Sequence, residues 1–503
     1  MTLAELLQDV RLKRPMPPAL AGALVKGLEY DSRRVAEGFL FFAFPGSRTD
    51  GRRFAEDALA RGAVAVASES EMPFAKAGQE ACPTIQVEHG RQALALASRT
   101  FYGKPDERIG LTGITGTNGK TTTGYLLDSV LRAAGGVTAL IGTIEYRLAG
   151  RALPAVNTTP ESLDLARIFA ELAAAGGTHA TMEVSSHALA LGRAYGLRFH
   201  TAVFTNLTRD HLDFHGTMEA YFAAKRLLFE GAGAGAENAP RFAVLNRDDE
   251  YARRIPVDSR TRTLWYGLGG ESNLRARHIS TGFQGLRFEA QYGKLRIPLE
   301  SPLIGRINVY NILAACGAGI SYGVAPETIA RGIADMRAVP GRFERVDEGQ
   351  PFVVVVDYAH TDDALRNAIA VARGLGPKRV ITVFGCGGDR DRSKRPLMGQ
   401  AAAEGSDFVV LTSDNPRSED PLAIMNDALV GIRREDGPHV VEPDRAAAIA
   451  RALKEARPGD LVILAGKGHE TYQVLKDKTI PFDDRAVARE VLRSYGYRQS
   501  GEP

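Results

Sequence analysis

A chain of 503 residues, 44% hydrophobic and 24% charged, has the composition of an ordinary globular protein and room for about three or four domains. Its 63 basic and 60 acidic residues leave a formal net charge of +3, a balance that argues against a nucleic-acid or membrane partner. The cysteines Cys82, Cys316 and Cys386 are too dispersed for a disulfide framework or a Cys-rich metal site; residues 1–14 lack a signal-like pattern and no apolar run is long enough to span a bilayer, so a cytoplasmic protein is expected.

Residues 1–100 read as a first domain. The run 38–44 is a buried strand, 54–60 a helix and 63–67 a second short strand. Between them lie Tyr30-Asp31-Ser32-Arg33 and Gly46-Ser47-Arg48-Thr49, polar loop segments able to meet a phosphate or a sugar, although ordinary turns would have the same composition.

Residues 101–338 alternate strand and helix. The strands fall at 108–114, 137–142, 180–184, 201–205 and 242–245, with helices such as 161–174 and 218–229 between them, which predicts a mostly parallel sheet covered by helices. At the end of the first strand stands Thr115-Gly116-Thr117-Asn118-Gly119-Lys120-Thr121-Thr122, followed by a helical segment over 124–131. Strand, glycine-rich turn and helix is the setting in which backbone N–H groups and a helix N-terminus cradle phosphates. Lys120 would reach the β- and γ-phosphates and the Thr121 hydroxyl would face Mg²⁺. The usual pattern has glycine where this chain has Ile114; Gly116 supplies the flexibility instead. Glu183, at a strand tip, is either a Mg²⁺ ligand or a helix-capping carboxylate. His211, within the polar run 206–216, is either a ligand to a second cation or a structural histidine. Lys225 reads from composition only as a lysine on an amphipathic helix, and the run 231–236 as a flexible connection.

After Val339-Pro340-Gly341 the alternation restarts, and 339–503 reads as a doubly wound, Rossmann-like domain with strands at 352–357, 379–384, 408–412 and 461–465. Ligands are expected on the loops after those strands. They carry Tyr358-Ala359-His360, residues 385–396, Asp414-Asn415-Pro416-Arg417 and Gly466-Lys467-Gly468-His469-Glu470. Arg390 and Arg417 are suited to bidentate recognition of a carboxylate, and Asn415-Pro416 is a turn signal that would hold the second of them.

Taken together these motifs resemble the Mur ligase family over nearly the whole chain: Thr115–Thr122, Glu183-Val184-Ser185-Ser186-His187, the run 206–213, Gly305-Arg306-Ile307-Asn308-Val309-Tyr310-Asn311, Pro340-Gly341-Arg342-Phe343-Glu344 and Asp357-Tyr358-Ala359-His360. The resemblance implies three α/β domains, with a central ATP-binding phosphate-loop domain. Within the family the chain is similar to members that extend UDP-N-acetylmuramoyl-L-alanyl-D-glutamate, and its Asp-Asn-Pro-Arg loop resembles that of members adding meso-diaminopimelate in place of L-lysine. Arg417 would pair with the second carboxylate of diaminopimelate and repel the ammonium of lysine.

By the same resemblance ATP phosphorylates the D-glutamate α-carboxylate, the amine of diaminopimelate attacks the acyl phosphate, and two Mg²⁺ ions assist. Lys225 would be carbamylated and bind the second ion, and Thr121, Glu183 and His211 would complete the metal shells. The ATP site would comprise Gly116, Thr117, Asn118, Gly119, Lys120, Thr121, Thr122, Asn311 (on adenine), Arg342 (near the phosphates) and Asp357. Tyr30, Ser32, Ser47, Arg48 and Thr49 would hold the uridine nucleotide. Asn157, Thr158, Thr159, Ser185 and Arg193 would hold the rest of that substrate. Leu191 stands where a polar contact is expected. Arg390, Asp414, Asn415, Pro416, Arg417, Gly466 and Glu470 would form the diaminopimelate site. Only small-molecule partners and a monomeric enzyme are implied. The alternatives are the lysine-adding ligase, folylpolyglutamate synthase, and a nucleotide-switched binding protein.

Overall fold

Three separate stretches of β-branched and apolar residues each build a sheet, and each sheet buries its own core. The computed structural model describes residues 1–46, 49–72 and 83–498. It divides into two compact units, Met1–Leu274 with Ala314–Ile329, and Arg275–Leu313 with Ala330–Pro503.

The first unit holds two sheets. Strands β1 (Gly27–Glu29), β2 (Phe39–Ala43), β3 (Ala65–Ser68) and β4 (Thr84–Gln86) pair in chain order, all parallel. Leu40 and Phe42 point to one core and Phe41 and Ala43 to the other, as the two-residue period of a strand requires. The larger sheet contains β5 (Gly110–Thr115), β6 (Thr138–Ile141), β7 (Glu145–Leu148), β8 (Arg151–Pro154), β9 (His179–Glu183), β10 (Thr201–Phe204), β11 (Phe242–Asn246) and β12 (Arg262–Gly267). Its order is β12-β11-β10-β5-β9-β6-β7-β8, parallel except that β7 runs antiparallel to both β6 and β8. Thus β5 lies at the centre, flanked by β9 and β10, and the segments after all three strands emerge together. This places 115–122, 183–187 and 205–211 at one end of the sheet, where ligands of open α/β sheets bind.

After β13 (Leu274–Gly282), β14 (Gly285–Tyr292) and β15 (Leu295–Ser301) form an antiparallel hairpin in the second unit. The six-stranded sheet of this unit is β16 (Glu344–Val346), β17 (Val353–Asp357), β18 (Val380–Phe384), β19 (Phe408–Leu411), β20 (His439–Val441) and β21 (Leu461–Ala465). Their order is β16-β17-β21-β18-β19-β20, with only β16 antiparallel. Helices Asp362–Gly374, Lys394–Gly405 and Pro421–Arg434 cover one face, and Arg445–Glu455 with Asp484–Ser494 the other. The sheet is doubly wound, as expected.

Two local expectations are corrected. The helix expected over 218–229 is α-helical only over Met218–Arg226 and tightens into a 3₁₀ turn, Leu227–Phe229. The run 231–236 is not a loose connection: Gly231–Gly233 and Ala236–Asn238 are 3₁₀ turns, and Gly231 and Ala232 are buried. Small side chains let this backbone pack closely; a Cβ on Gly231 would lie 2.9 Å from that of Asn238. Among the strands that were not expected are β1, β4, β7, β8, β12, β13, β14, β15, β16 and β20; several are half-exposed, so they lack the apolar run that marks a buried strand.

Candidate active site

In the first unit the glycine-rich loop leaves β5 and enters the helix Lys120–Ala133 at Gly119, whose φ is +86°. Gly116, at φ +150°, is set against Thr205: a Cβ there would stand 1.8 Å from the Thr205 hydroxyl. No side chain fits. Ile114, by contrast, is still within β5, fully buried and in register with Glu183 and Val203, so glycine is not needed there. Thr205 and Asn206, just after β10, brace the loop. The Thr205 hydroxyl and the Asn206 side-chain amide donate to the Asn118 carbonyl at 2.6 and 3.1 Å, and Asn118 N–H donates to Asn206 Oδ1 at 3.0 Å. Thr117 N–H donates to the Asn206 carbonyl.

Two lysines converge on this loop. Lys120 Nζ donates to the carbonyls of Gly116 and Thr117 at 2.9 and 2.8 Å. Lys225 Nζ, from the helix Met218–Arg226, donates to the same Gly116 carbonyl at 2.8 Å and lies 4.5 Å from the centre of the Tyr221 ring. Lys225 is 1% exposed. Burial, and then the charge of Lys120, push its pKa well below the ordinary lysine range. A lowered pKa raises the fraction of free amine, the form able to attack an electrophile.

Glu183, 2% exposed at the end of β9, accepts hydrogen bonds from the Thr121 hydroxyl (3.0 Å), Thr143 N–H (2.9 Å) and the Thr143 hydroxyl (3.1 Å). The helix after Glu183 is capped by Ser185, not by Glu183, which removes the capping role as an explanation of this carboxylate. Thr143 was not anticipated; it also meets the Thr158 hydroxyl at 3.2 Å. Mg²⁺ takes oxygen ligands and few of them from protein. Thr121 and Glu183 fit it directly. Lys225 fits only after its amine becomes a carboxylated, oxygen-bearing group. His211 offers nitrogen, the poorer match. No group of three or more His, Cys, Asp or Glu side chains poised for a metal occurs among the described residues. His211 has a left-handed backbone (φ +53°) and packs edge-on against His187, ring centres 4.8 Å apart. Burial pushes it down to about 4, so its imidazole is neutral at physiological pH.

The expected nucleotide-sugar residues divide. The Tyr30 hydroxyl donates to Asp164 at 2.6 Å, and burial raises its pKa. Ser32 is buried and Thr49 exposed; Ser47 and Arg48 lie outside the described residues. Thr159 is 1% exposed and donates to the Glu183 carbonyl. Ser185 caps its helix. Asn157 exchanges backbone hydrogen bonds with the Tyr146 hydroxyl. Arg193 donates to Glu161 (3.0 Å) and to the Thr159 carbonyl (3.1 Å). Leu191 is the C-cap of the helix Ser186–Ala190.

In the second unit the ends of β17, β19 and β21 meet. Gly341, at φ +63°, passes so close to the loop after β21 that a Cβ would lie 2.0 Å from His469 N. Arg342 stacks over Tyr358 at 4.9 Å, and its Nε is buried with no hydrogen-bond acceptor among the described residues, a donor suited to an anion. Asp357 accepts from Phe343 N–H at 2.7 Å, and burial raises its pKa. Asn311 is 5% exposed, its amide turned to Asn308 at 2.9 Å.

Arg417, at φ +51°, donates through Nη1 to the carbonyls of Gly388 (2.8 Å) and Asn415 (3.3 Å). Arg390 is exposed and donates to the Asp389 carbonyl at 3.3 Å. Gly387 sits between them: a Cβ there would lie 3.0 Å from Arg417 Nη1 and 3.7 Å from Arg390 Cγ. Asn415 Nδ2 donates to Glu470 at 2.9 Å; Pro416 is buried, and Gly466 N–H donates to the Asp357 carbonyl. Asp414, Asn415, Pro416, Arg417, Gly466 and Glu470 thus form one cluster. Arg395 and Arg445, both 2% exposed, underpin these loops and were not anticipated. Arg395 pairs with Glu419 and Asp427, and Arg445 with Asp484. Nothing local distinguishes them from surface arginines.

Burial also pushes His200 and His469 down to about 4 from the ordinary 6.5. The unfolded chain therefore binds protons on these rings, below about pH 6.5, that the native chain does not take up until about pH 4. The stability they contribute is complete above the upper value and is lost as the pH falls through that window. Thermal melts across it should show a falling midpoint, lessened in His200→Phe; an unchanged slope in that variant would remove His200 from the account.

Three family models match the chain: Mur ligase family, catalytic domain over 24–102; Mur ligase middle domain over 114–319; and Mur ligase, glutamate ligase domain over 341–468. The chain is similar to the UDP-N-acetylmuramoyl-L-alanyl-D-glutamate--2,6-diaminopimelate ligase of Solibacter usitatus, 75% identical over 99% of this chain and 100% of that protein. The protein of the same name from Geobacillus kaustophilus is 47% identical over 94% of this chain and 96% of its own length. A solved structure of a ligase of that name is 33% identical, covers 99% of both chains and superposes with a TM-score of 0.69.

Proposed function

The chain belongs to the Mur ligase family, and from that premise we propose that it is the ATP-dependent ligase joining meso-2,6-diaminopimelate to UDP-N-acetylmuramoyl-L-alanyl-D-glutamate in peptidoglycan precursor synthesis. The observation that carries the reading is the convergence of Lys120 and the buried Lys225 on one carbonyl of the glycine-rich loop, beside the Thr121–Glu183 pair. That arrangement serves phosphoryl transfer, in which positioning and charge neutralisation supply nearly all of the catalysis.

In this reading residues 1–100 take the uridine nucleotide, 101–338 ATP, and 339–503 the amino acid. Lys120 and the N–H groups of 116–122 hold the ATP phosphates; in the second unit the unmatched Arg342 Nε is a donor suited to an anion. The D-glutamate α-carboxylate takes the γ-phosphoryl group. The amine of diaminopimelate then attacks the acyl carbon, phosphate departs, and a proton is lost from the new amide nitrogen. The free amine of Lys225 adds to CO₂, forming an N–C bond and losing a proton, which converts a donor into a carboxylate. Mg²⁺, when bound, neutralises charge on the phosphoryl group; Thr121 and Glu183 would hold one ion, and carbamylated Lys225 with His211 a second. Nucleotide-linked substrates of this kind place the reaction in the cytoplasm.

The loop 414–417 supports diaminopimelate over lysine. Its second carboxylate meets a guanidinium already held in place by two carbonyls, whereas the lysine ammonium would be repelled. Phosphate release from ATP with the UDP-muramoyl-dipeptide tests the proposal when diaminopimelate and L-lysine are supplied in parallel. Release with diaminopimelate alone is expected; release with lysine alone would keep the family and sink the account of Arg417, and release indifferent to both would favour a nucleotide switch. Arg417→Ala should raise KM for diaminopimelate by about tenfold or more with little change for ATP. An equal rise for both would mean that Arg417 does not read the amino acid.

A further inference from the structure

Lys467 lies in the loop after β21, between Gly466 (φ +113°) and Gly468 (φ +53°), and its side chain is 0% exposed. A turn closed by Glu470 N–H on the Lys467 carbonyl brings the two side chains onto one side. Lys467 Nζ donates to Asn415 Oδ1 and Glu470 Oε2, both at 3.2 Å, and stands 4.0 Å from Asp414 Oδ1. The Tyr472 ring centre is 5.8 Å away. Asn415 is held at both ends. Its Oδ1 also accepts Val474 N–H at 2.9 Å, while its Nδ2 donates to the same Glu470 oxygen that Lys467 binds.

Removing an ammonium from water is expensive, and an apolar side chain of similar volume would fill the space as stably or more so. What the apolar replacement could not do is neutralise Asp414 and Glu470 or orient the Asn415 amide. Asp414 and Glu470 contribute two negative formal charges, and Lys467 and Arg417 two positive ones. Without Lys467 the cluster carries a net negative charge, which repels a carboxylate and attracts an ammonium.

We infer that Lys467 is a positioning and specificity-determining residue: buried beneath Asp414, Asn415 and Glu470, it keeps that cluster neutral and aligned so that Arg417 can accept an amino acid ending in a second carboxylate in preference to one ending in an ammonium. The inference rests on the diaminopimelate reading given above and adds to it the residue that sets the charge of the site. Lys467 itself makes no contact with substrate; it acts through three side chains that would.

The test is steady-state kinetics of Lys467→Met and Lys467→Gln with the full-length enzyme, varying meso-diaminopimelate, L-lysine and ATP separately, alongside circular dichroism and thermal melts. KM for diaminopimelate should rise about thirtyfold or more, the loss typical of removing one partner from a buried charge cluster. KM for ATP should be unchanged, and the ratio of kcat/KM for diaminopimelate over lysine should fall. A merely structural lysine would raise both KM values together and leave the ratio unchanged, which would overturn the inference; so would failure of both variants to fold. A wild-type enzyme that prefers lysine would instead overturn the functional reading, whatever the variants do.

Discussion

Lys120→Ala is expected to lower turnover by about a hundredfold or more while the protein stays folded, because in the proposed reading its ammonium neutralises charge on the ATP phosphates. The loop itself does not depend on that side chain. Gly116 is confined by the Thr205 hydroxyl, and Asn118 is held from both sides by Asn206, so the cradle survives the truncation. The loss in the unliganded protein includes two hydrogen bonds from a half-buried amine to carbonyls, worth about 1 kcal/mol each. A small drop in melting temperature with near-complete loss of phosphate release is therefore the expected pair of results. Full activity in Lys120→Ala would remove the phosphate-loop assignment.

Lys225→Ala should be as inactive, for a different reason. Lys225 is buried against Tyr221 and Gly116, and alanine leaves an empty slot where the proposed carbamate would sit. Added formate or acetate should enter that slot and restore part of the activity, since either supplies the missing carboxylate. Lys225→Met, which fills the slot with an apolar chain, should be inactive and should not be rescued. Failure of rescue in the alanine variant would count against the carbamate without removing a role for the lysine. A ¹³C resonance from enzyme equilibrated with ¹³CO₂, absent in both variants, would identify the adduct directly.

Much of the proposed site is legible in the chain because its parts are local. The glycine-rich loop is contiguous, and a strand before and a helix after it are enough to give it meaning. Asp414-Asn415-Pro416-Arg417 is likewise one short loop whose turn signal and guanidinium stand next to each other. Lys225 and Lys467 were harder. A buried lysine on an amphipathic helix has the same spacing as an exposed one, and the expected ligand loop Gly466-Lys467-Gly468-His469-Glu470 does not by itself show that Lys467 is buried against Asp414 and Asn415. Thr143 escaped for the same reason: a lone threonine after β6 acquires its role only because β9 lies beside it and ends in Glu183.

The sequence by itself determined the α/β class, the doubly wound third sheet, the glycine-rich turn between strand and helix, and the turn that carries Arg417, proposed above to read a carboxylate, since each depends on periodicity or on residues within one turn of each other. Only the tertiary structure decided that Glu183 answers to Thr121 and Thr143 and that Lys225 shares a carbonyl with Lys120. It alone shows the Lys467 ammonium held on Asn415. Those contacts join residues tens to more than a hundred positions apart, and burial, which lowers the pKa of Lys225, has no local signature in a chain.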